Sequence, residues 1–216
     1  MKKFFEKLRN SFKNVEDRIN AYTSGSSAKV SNPSQSYVDW AMKLMNEGCE
    51  EAAIDKLETV TQMAMQNPSA CVNLAMMYIK RGELKKVQPL LKKAVEIDSQ
   101  YARAYLAYGI YYTAVNDYKN AERYYEIAAK LDPRLPEVFV NWAVALVSQG
   151  KKQEAQEKFK KAMFYQPNNL VGLYLWAILD IELGQYKQAK DKLAVVLSFQ
   201  PYNADALYYM AIVYYK

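Results

Sequence analysis

Small and large residues recur along this chain at a constant spacing of 34 residues. Each copy of the pattern contains a residue suited to a turn: Gly48, Gly82, Asn116, Gly150 and Gly184. Seven positions earlier stands a small residue: Ala41, Ala75, Gly109, Ala143 and Ala177. This arrangement predicts a first helix that ends at the Gly or Asn, because both residues tolerate the left-handed conformation that terminates helices.

The positions after the turn predict a second helix. Five residues on is a small side chain: Ala53, Val87, Ala121, Ala155 and Ala189. Nine residues on is a large one: Leu57, Leu91, Tyr125, Phe159 and Leu193. Twelve residues after the turn stands an alanine or a valine: Val60, Ala94, Ala128, Ala162 and Val196. Small residues let two helix axes approach, and the large residue fills the remaining volume, so each unit predicts a packed helix pair.

Prolines mark the ends of three second helices, at Pro133, Pro167 and Pro201, because proline cannot continue a helix. The first two units have Met65 and Ser99 at this position instead. Pro89 lies inside the second helix of the second unit, and we expect it to loosen the first turns of that helix.

The pattern resembles the tetratricopeptide repeat, a 34-residue pair of antiparallel helices. The resemblance implies an all-α, right-handed superhelical solenoid of such pairs. Five full repeats would begin near residues 34, 68, 102, 136 and 170, and a single helix would follow over 204–216. That last helix, "ALYYMAIVYYK", is apolar nearly all round. Either the sequence is part of a longer protein, which we favour, or the helix packs on another molecule.

The resemblance also implies a binding module whose concave groove is lined by the first helices. Its lining is expected at the second, fifth, ninth and twelfth positions of each repeat. The fifth, ninth and twelfth positions predict an apolar partner-binding groove: Val38, Met42, Val72, Met76, Ile79, Leu106, Ile110, Val140, Val144, Val147, Tyr174, Ile178, Tyr208 and Ile212. Asn73 and Asn141, one position after the fifth, are predicted to belong to the same groove.

The residue types in this groove limit the kinds of ligand that it is expected to bind. Family members that bind chaperones carry Lys, Arg and Asn here and clamp a carboxylate. In this sequence Asn73 and Asn141 suit a role in holding a ligand backbone, but the cationic residues are missing. An apolar or amphipathic segment is the expected ligand. The alternative is that part of the list is core, buried between neighbouring helices.

Residues 1–20 have a separate amphipathic pattern. At helical pitch, their large apolar residues fall within an arc of about 100°. They are Phe4, Phe5, Leu8, Phe12, Val15 and Ile19. A spacer rich in Ser, residues 21–33, follows. Three alternatives remain open for this predicted helix: a cap on the first repeat, a ligand for a groove of its own or a neighbouring copy, or a membrane contact.

Composition lowers the expectation of an enzyme. The chain of 216 residues has no histidine, which removes the commonest general base and zinc ligand. Its two cysteines, Cys49 and Cys71, form neither a disulfide framework nor a metal-binding spacing. We expect no catalytic residue, metal or cofactor.

The net charge is +6, and residues 1–20 carry half of it, with six basic and three acidic side chains. The remaining positive charge is distributed over the rest of the chain. Lysines on the predicted second helices alternate with acidic residues at helical spacing. No nucleic-acid motif accompanies the 19 tyrosines, so nucleic acid is not an expected partner.

The sequence therefore predicts a non-enzymatic scaffold or adaptor that binds a protein or peptide segment in its groove. The alternative is a self-assembling structural protein that forms homo-oligomers through residues 1–20 or the last helix, on a membrane or organelle surface. No signal peptide or transmembrane segment is present, which predicts a cytoplasmic protein, with peripheral membrane contact as a variant. Its Lys-, Asn- and Tyr-rich composition suggests a bacterial source.

Overall fold

A computed structural model describes residues 33–62 and 67–216. The predicted amphipathic helix (1–20) and its spacer, apart from Pro33, lie outside the described residues, as does Met65. The described residues form eleven α-helices and one 3-10 turn, Leu84–Lys86. The helices are α1 (Pro33–Asn46), α2 (Glu50–Gln62), α3 (Pro68–Arg81), α4 (Val87–Ile97), α5 (Ala102–Ala114), α6 (Tyr118–Leu131), α7 (Pro136–Ser148), α8 (Lys152–Tyr165), α9 (Leu170–Glu182), α10 (Tyr186–Phe199) and α11 (Ala204–Tyr215).

The helices belong to two compact units, which divide within α5 between Tyr111 and Tyr112. In the first unit α1 packs on α2, α2 on α3, and α3 on α4. In the second unit each helix from α6 to α11 packs on the next along the chain. Short turns join the two helices of each pair, so they run antiparallel, as the 34-residue pattern predicts.

The core of both units consists of the residues that define the repeat. The alanines of the first helices, Ala41, Ala75, Ala143 and Ala177, are completely buried. So are the small residues that face them from the second helices: Ala53, Val87, Ala121, Ala155 and Ala189. The large residues four positions later are buried as well: Leu57, Leu91, Tyr125, Phe159 and Leu193. The spacing therefore predicted where the helices cross.

The turn residues adopt the left-handed conformation that was expected of them. Gly48, Gly82, Gly150 and Gly184 have φ between 73° and 78°, and Asn116 has φ 62°. At Gly82 the backbone N–H donates to the carbonyl oxygen of Ile79, which closes the last turn of α3.

Substitution of Gly150 tests this conformational requirement. No other group lies within 4 Å of a Cβ built at Gly150, so a substitution there acts through backbone conformation alone. We expect Gly150→Val to lower the free energy of unfolding by about 1–2 kcal/mol, because a β-branched residue is strained at positive φ. Gly150→Asn should cost less than half as much, since Asn116 already holds the equivalent turn. Equal losses for Val and Asn in urea unfolding would contradict this explanation.

The second helix of the second repeat starts late, as Pro89 led us to expect. Its counterparts begin at Glu50, Tyr118, Lys152 and Tyr186, but here a 3-10 turn comes first and α4 begins at Val87. Pro89 is therefore in the first turn of α4, where the N–H that proline lacks has no partner within the helix.

None of the helices in the described part of the chain is long and apolar enough to cross a bilayer.

Candidate functional site

The predicted groove residues differ in how far they are buried. The fifth-position side chains of the first five repeats are buried: Val38, Val72, Leu106, Val140 and Tyr174. In α11 the corresponding Tyr208 is half exposed. The buried members of this row contribute to the interior and have little surface to offer a ligand.

The ninth and twelfth positions provide the accessible part of the row. In the first unit Met42, Met76 and Ile79 are half-buried and pack against one core, and Ile110 is half-buried on α5. Methionine side chains are flexible and polarizable, so they adapt to ligands of different shape. The first unit thus presents an apolar surface on consecutive first helices.

In the second unit α9 contacts both α7 and α11, so its first helices are neighbours. A Cβ built at Gly172 would lie 3.0 Å from Val140 Cγ2, which shows how closely α9 approaches α7. Val144, Val147 and Ile212 are half-buried here, whereas Ile178 is buried.

Tyrosines cover the α9–α11 end of this surface. The Tyr209 ring meets those of Tyr174 and Tyr208 edge-on, with centroids 5.8 and 5.3 Å away. Burial raises the pKa of Tyr209, and the neighbouring Tyr208 adds to the effect. The phenol therefore stays neutral and adds no charge to this end of the surface.

The two asparagines expected to hold a ligand backbone are both half-buried on first helices. Asn141 Nδ2 donates to the Glu137 carbonyl oxygen of its own helix at 2.8 Å, and Asn73 Nδ2 lies 3.5 Å from Ser69 Oγ. Each amide nitrogen thus has a hydrogen-bond partner within its own helix, and the carbonyl oxygen Oδ1 can act only as an acceptor.

Sequence reasoning missed a repeated pairing of tryptophan with lysine. The Nζ atoms of Lys56, Lys158 and Lys192 lie 4.7, 3.3 and 4.1 Å from the ring centroids of Trp40, Trp142 and Trp176. In each case the tryptophan is at the seventh position of its repeat and the lysine follows sixteen residues later. Aligning the repeats would have revealed this spacing, and such cation–π contacts stabilise a pair by about 0.5–2 kcal/mol.

The second and third of these tryptophans also stack on the preceding repeat. Trp142 stacks on Tyr125 and Trp176 on Phe159, each with ring centroids 6.2 Å apart. Together with the lysine that lies over the ring, each stack therefore joins three consecutive helices through one indole ring. Burial lowers the pKa of Lys158, with a further contribution from the nearby Lys161.

A buried carboxylate adds a polar network to the last of these stacks. Asp180 is completely buried, and its Oδ2 accepts from Lys192 Nζ at 2.6 Å. Its Oδ1 accepts from Gln156 Nε2 at 3.1 Å, and the same nitrogen lies 2.8 Å from Gln185 Oε1. The network ties α8, α9 and α10 together, which is a structural role.

Over residues 33–62 and 67–216 there is no group of three potential metal ligands.

Comparison with known proteins identifies the family. Residues 68–101 match the tetratricopeptide repeat family, and residues 114–196 match the family described as anaphase-promoting complex, cyclosome, subunit 3. No curated protein matches the chain. Among solved structures, a thermophilic tetratricopeptide-repeat protein of Thermus thermophilus matches with a TM-score of 0.76 and 19% identity, over 85% of this chain and 100% of that one.

The chain is a tetratricopeptide-repeat protein. Two further structures are similar to it. PilW, a widely conserved type IV pilus biogenesis factor, has a TM-score of 0.70 and 20% identity, over 85% of this chain and 86% of that one. YrrB, which has an unusual peptide-binding site, has a TM-score of 0.52 and 16% identity, over 92% of this chain and 96% of that one. At these identities the likeness concerns the fold, and tetratricopeptide repeats are in general scaffolds for protein–protein interaction.

Proposed function

We propose that this protein is a non-enzymatic adaptor that binds an apolar or amphipathic segment of a protein partner along its first helices. The observation that carries the proposal is the row of half-buried apolar side chains at the ninth position, repeated in both units: Met42, Met76, Ile110, Val144 and Ile212. A partner that covers these side chains removes apolar surface from water, which supplies binding free energy.

The asparagines give this surface a polar component. Oδ1 of Asn73 and Asn141 would accept N–H groups of the bound segment, which would favour a ligand with exposed backbone donors, such as the first turn of a helix. The likeness to YrrB supports the proposal at the level of the fold, since that protein has a peptide-binding site.

A pull-down from lysate of the source organism tests the proposal. The baits are the full chain, an Ile110→Glu/Val144→Glu variant, and Phe164→Glu as the matched control. Phe164 lies on a second helix and is 80% exposed, so its replacement adds a carboxylate away from the first helices. Circular dichroism and thermal melting establish that all three baits are folded.

We expect the wild type and Phe164→Glu to retain the same partner and the double variant to lose it, because a buried unpaired carboxylate is costly at an apolar interface. Retention of the partner by all three baits would contradict binding along the first helices.

The alternative function, self-assembly, is favoured by the exposed apolar side chains of α11. Leu207, Tyr208, Tyr214 and Tyr215 are all exposed on this helix. Light scattering at two protein concentrations tests it: a mass that rises above that of one chain, and falls on Tyr214→Lys, would support assembly through α11. The proposed location is the cytoplasm, with peripheral membrane contact if residues 1–20 bind lipid.

A further inference from the structure

Three large aromatic side chains are exposed at one edge of the second unit. Phe164 and Phe199 lie at the C-terminal ends of α8 and α10, and Tyr202 is in the turn that follows α10. These residues are 80%, 58% and 95% exposed. Because α9 packs antiparallel to both α8 and α10, these two helices run in the same direction and end at the same edge. A single exposed aromatic residue is common on protein surfaces, but three at one edge indicate a contact surface.

The positive charge of the second unit is carried by its second helices. α6, α8 and α10 contain three, four and three basic residues, against two, two and one acidic residues. Lys152 and Lys192 pair with Glu182 and Asp180 of α9, which leaves eight basic against five acidic residues on the second helices. The first helices α7, α9 and α11 contain acidic residues and no basic one: Glu137, Asp180, Glu182 and Asp205. The exposed rings of α8 and α10 therefore belong to the basic set of helices.

Three cations lie at the same end of the second helices as the exposed rings. Lys130 and Arg134 are exposed, and they hold the repeat positions that Phe164 and Tyr202 hold 34 and 68 residues later. Lys161 is exposed one helical turn before Phe164. We call these cations and rings together the second-helix edge: Lys130, Arg134, Lys161, Phe164, Phe199 and Tyr202.

The cations of the second-helix edge are not neutralised by neighbouring carboxylates. In the described part of the chain none of the three forms an ion pair. Asp132, which shares a turn with Arg134, caps that turn instead: its Oδ1 accepts the backbone N–H of Arg134 at 3.0 Å. The edge therefore combines local positive charge with exposed apolar rings.

This combination fits the surface of an anionic bilayer. Aromatic rings are favourable at the level of the lipid headgroups, and lysine and arginine are attracted to anionic lipids. Single-stranded nucleic acid also binds basic and aromatic side chains, but in a groove that follows its backbone. Here the rings project from helix ends, and Val195, 36% exposed one turn before Phe199, adds an aliphatic side chain suited to acyl chains. The exposed rings and the aliphatic neighbour therefore favour lipid.

We propose that the second-helix edge binds the surface of an anionic phospholipid bilayer. Phe164, Phe199 and Tyr202 enter the headgroup region, and the three cations lie against the lipid phosphates. The first helices take no part in this contact and stay available to a protein partner. The proposal thus goes beyond the adaptor function and does not depend on it.

Sedimentation of the full chain with phospholipid vesicles tests the proposal. Vesicles of phosphatidylcholine alone are compared with vesicles of equal parts phosphatidylcholine and phosphatidylglycerol. Phe164→Ser/Phe199→Ser removes two rings of the second-helix edge. Tyr214→Ser/Tyr215→Ser is the matched control, because it removes two exposed rings from the far end of α11.

A second pair of variants tests the charges. Lys130→Gln/Arg134→Gln removes two cations of the second-helix edge. Lys119→Gln/Lys187→Gln removes two exposed cations from the N-terminal ends of α6 and α10, at the opposite edge, and gives the same net charge. Circular dichroism and thermal melting verify that all four variants are folded.

We expect the wild type to sediment with the anionic vesicles and not with phosphatidylcholine alone. The partition coefficient should fall by about tenfold in each edge variant, because apolar insertion and attraction to anionic lipid both contribute to binding. In the two control variants it should stay within about twofold of the wild type, and added salt should weaken binding because it screens the cations.

Equal losses in the edge and control variants would overturn the proposal, since the contact would not be localised to this edge. Unchanged binding in all four variants would also overturn it and would assign the membrane contact to another segment, residues 1–20 included. Failure to sediment with anionic vesicles would exclude the lipid contact. If a single-stranded oligonucleotide then binds, as measured by fluorescence anisotropy, nucleic acid would replace lipid as the partner.

Discussion

Lys192→Met is expected to destabilise the protein strongly, by about 3 kcal/mol, because it leaves the Asp180 carboxylate buried without its cationic partner. Asp180 is completely buried. Methionine preserves the packing of the lysine stem on Trp176, since a thioether also makes favourable contacts with aromatic rings. The expected loss therefore measures the unpaired carboxylate more than a cavity.

The opposite substitution, Asp180→Leu, should cost clearly less. The Lys192 side chain is 14% exposed, so its ammonium group can turn toward solvent once the carboxylate is gone. The fourth repeat already contains this arrangement: Leu146 stands at the position of Asp180, and Lys158 still lies over Trp142.

Urea unfolding followed by circular dichroism compares the two single variants and the double variant Asp180→Leu/Lys192→Met. The double variant should be close to the wild type, because replacing both partners of a buried ion pair by apolar residues is often neutral or stabilising. A larger loss for Asp180→Leu than for Lys192→Met would contradict the assignment of the carboxylate as the costly partner.

The features that could be predicted from the sequence are those set by one turn or one helix crossing. Gly150 and Asn116 identify helix ends because few residues tolerate positive φ, and this requirement is local. Ala143 and Ala155 identify a crossing because only small side chains let the axes approach. Once one repeat is identified, the 34-residue period gives the positions of the other repeats.

The extent to which each predicted groove residue is buried could not be predicted from the sequence pattern. The helical period shows that Val140 and Val144 lie on the first-helix side, but one is buried and the other half-buried. That difference depends on how closely the next first helix packs, as at Gly172, where a Cβ would lie 3.0 Å from Val140 Cγ2.

Asp180 shows a second limit. In the run "LYLWAILDIELG" it reads as an ordinary polar position, and nothing nearby indicates complete burial. Its partners come from two other helices and a turn, so only the folded chain brings Lys192, Gln156 and Gln185 to it.

Phe159→Ala is expected to have an effect at least as large, a loss of about 3–5 kcal/mol in the free energy of unfolding. The Phe159 ring is almost completely buried in α8 and stacks on Trp176 at 6.2 Å. Its removal leaves a cavity that the close-packed helices on both sides cannot fill without moving.

Two substitutions make the measurement specific. Phe159→Leu should cost only about 1 kcal/mol, because Leu57, Leu91 and Leu193 fill the same position in other repeats and leucine retains most of the buried volume. Phe164→Ala, five residues along α8, should change stability by less than about 0.5 kcal/mol, since that ring is exposed. Urea unfolding of the three variants provides the comparison. Similar losses for Phe159→Ala and Phe164→Ala would mean that the stability of α8 depends on its exposed side as much as on its core, which the burial of these two rings argues against.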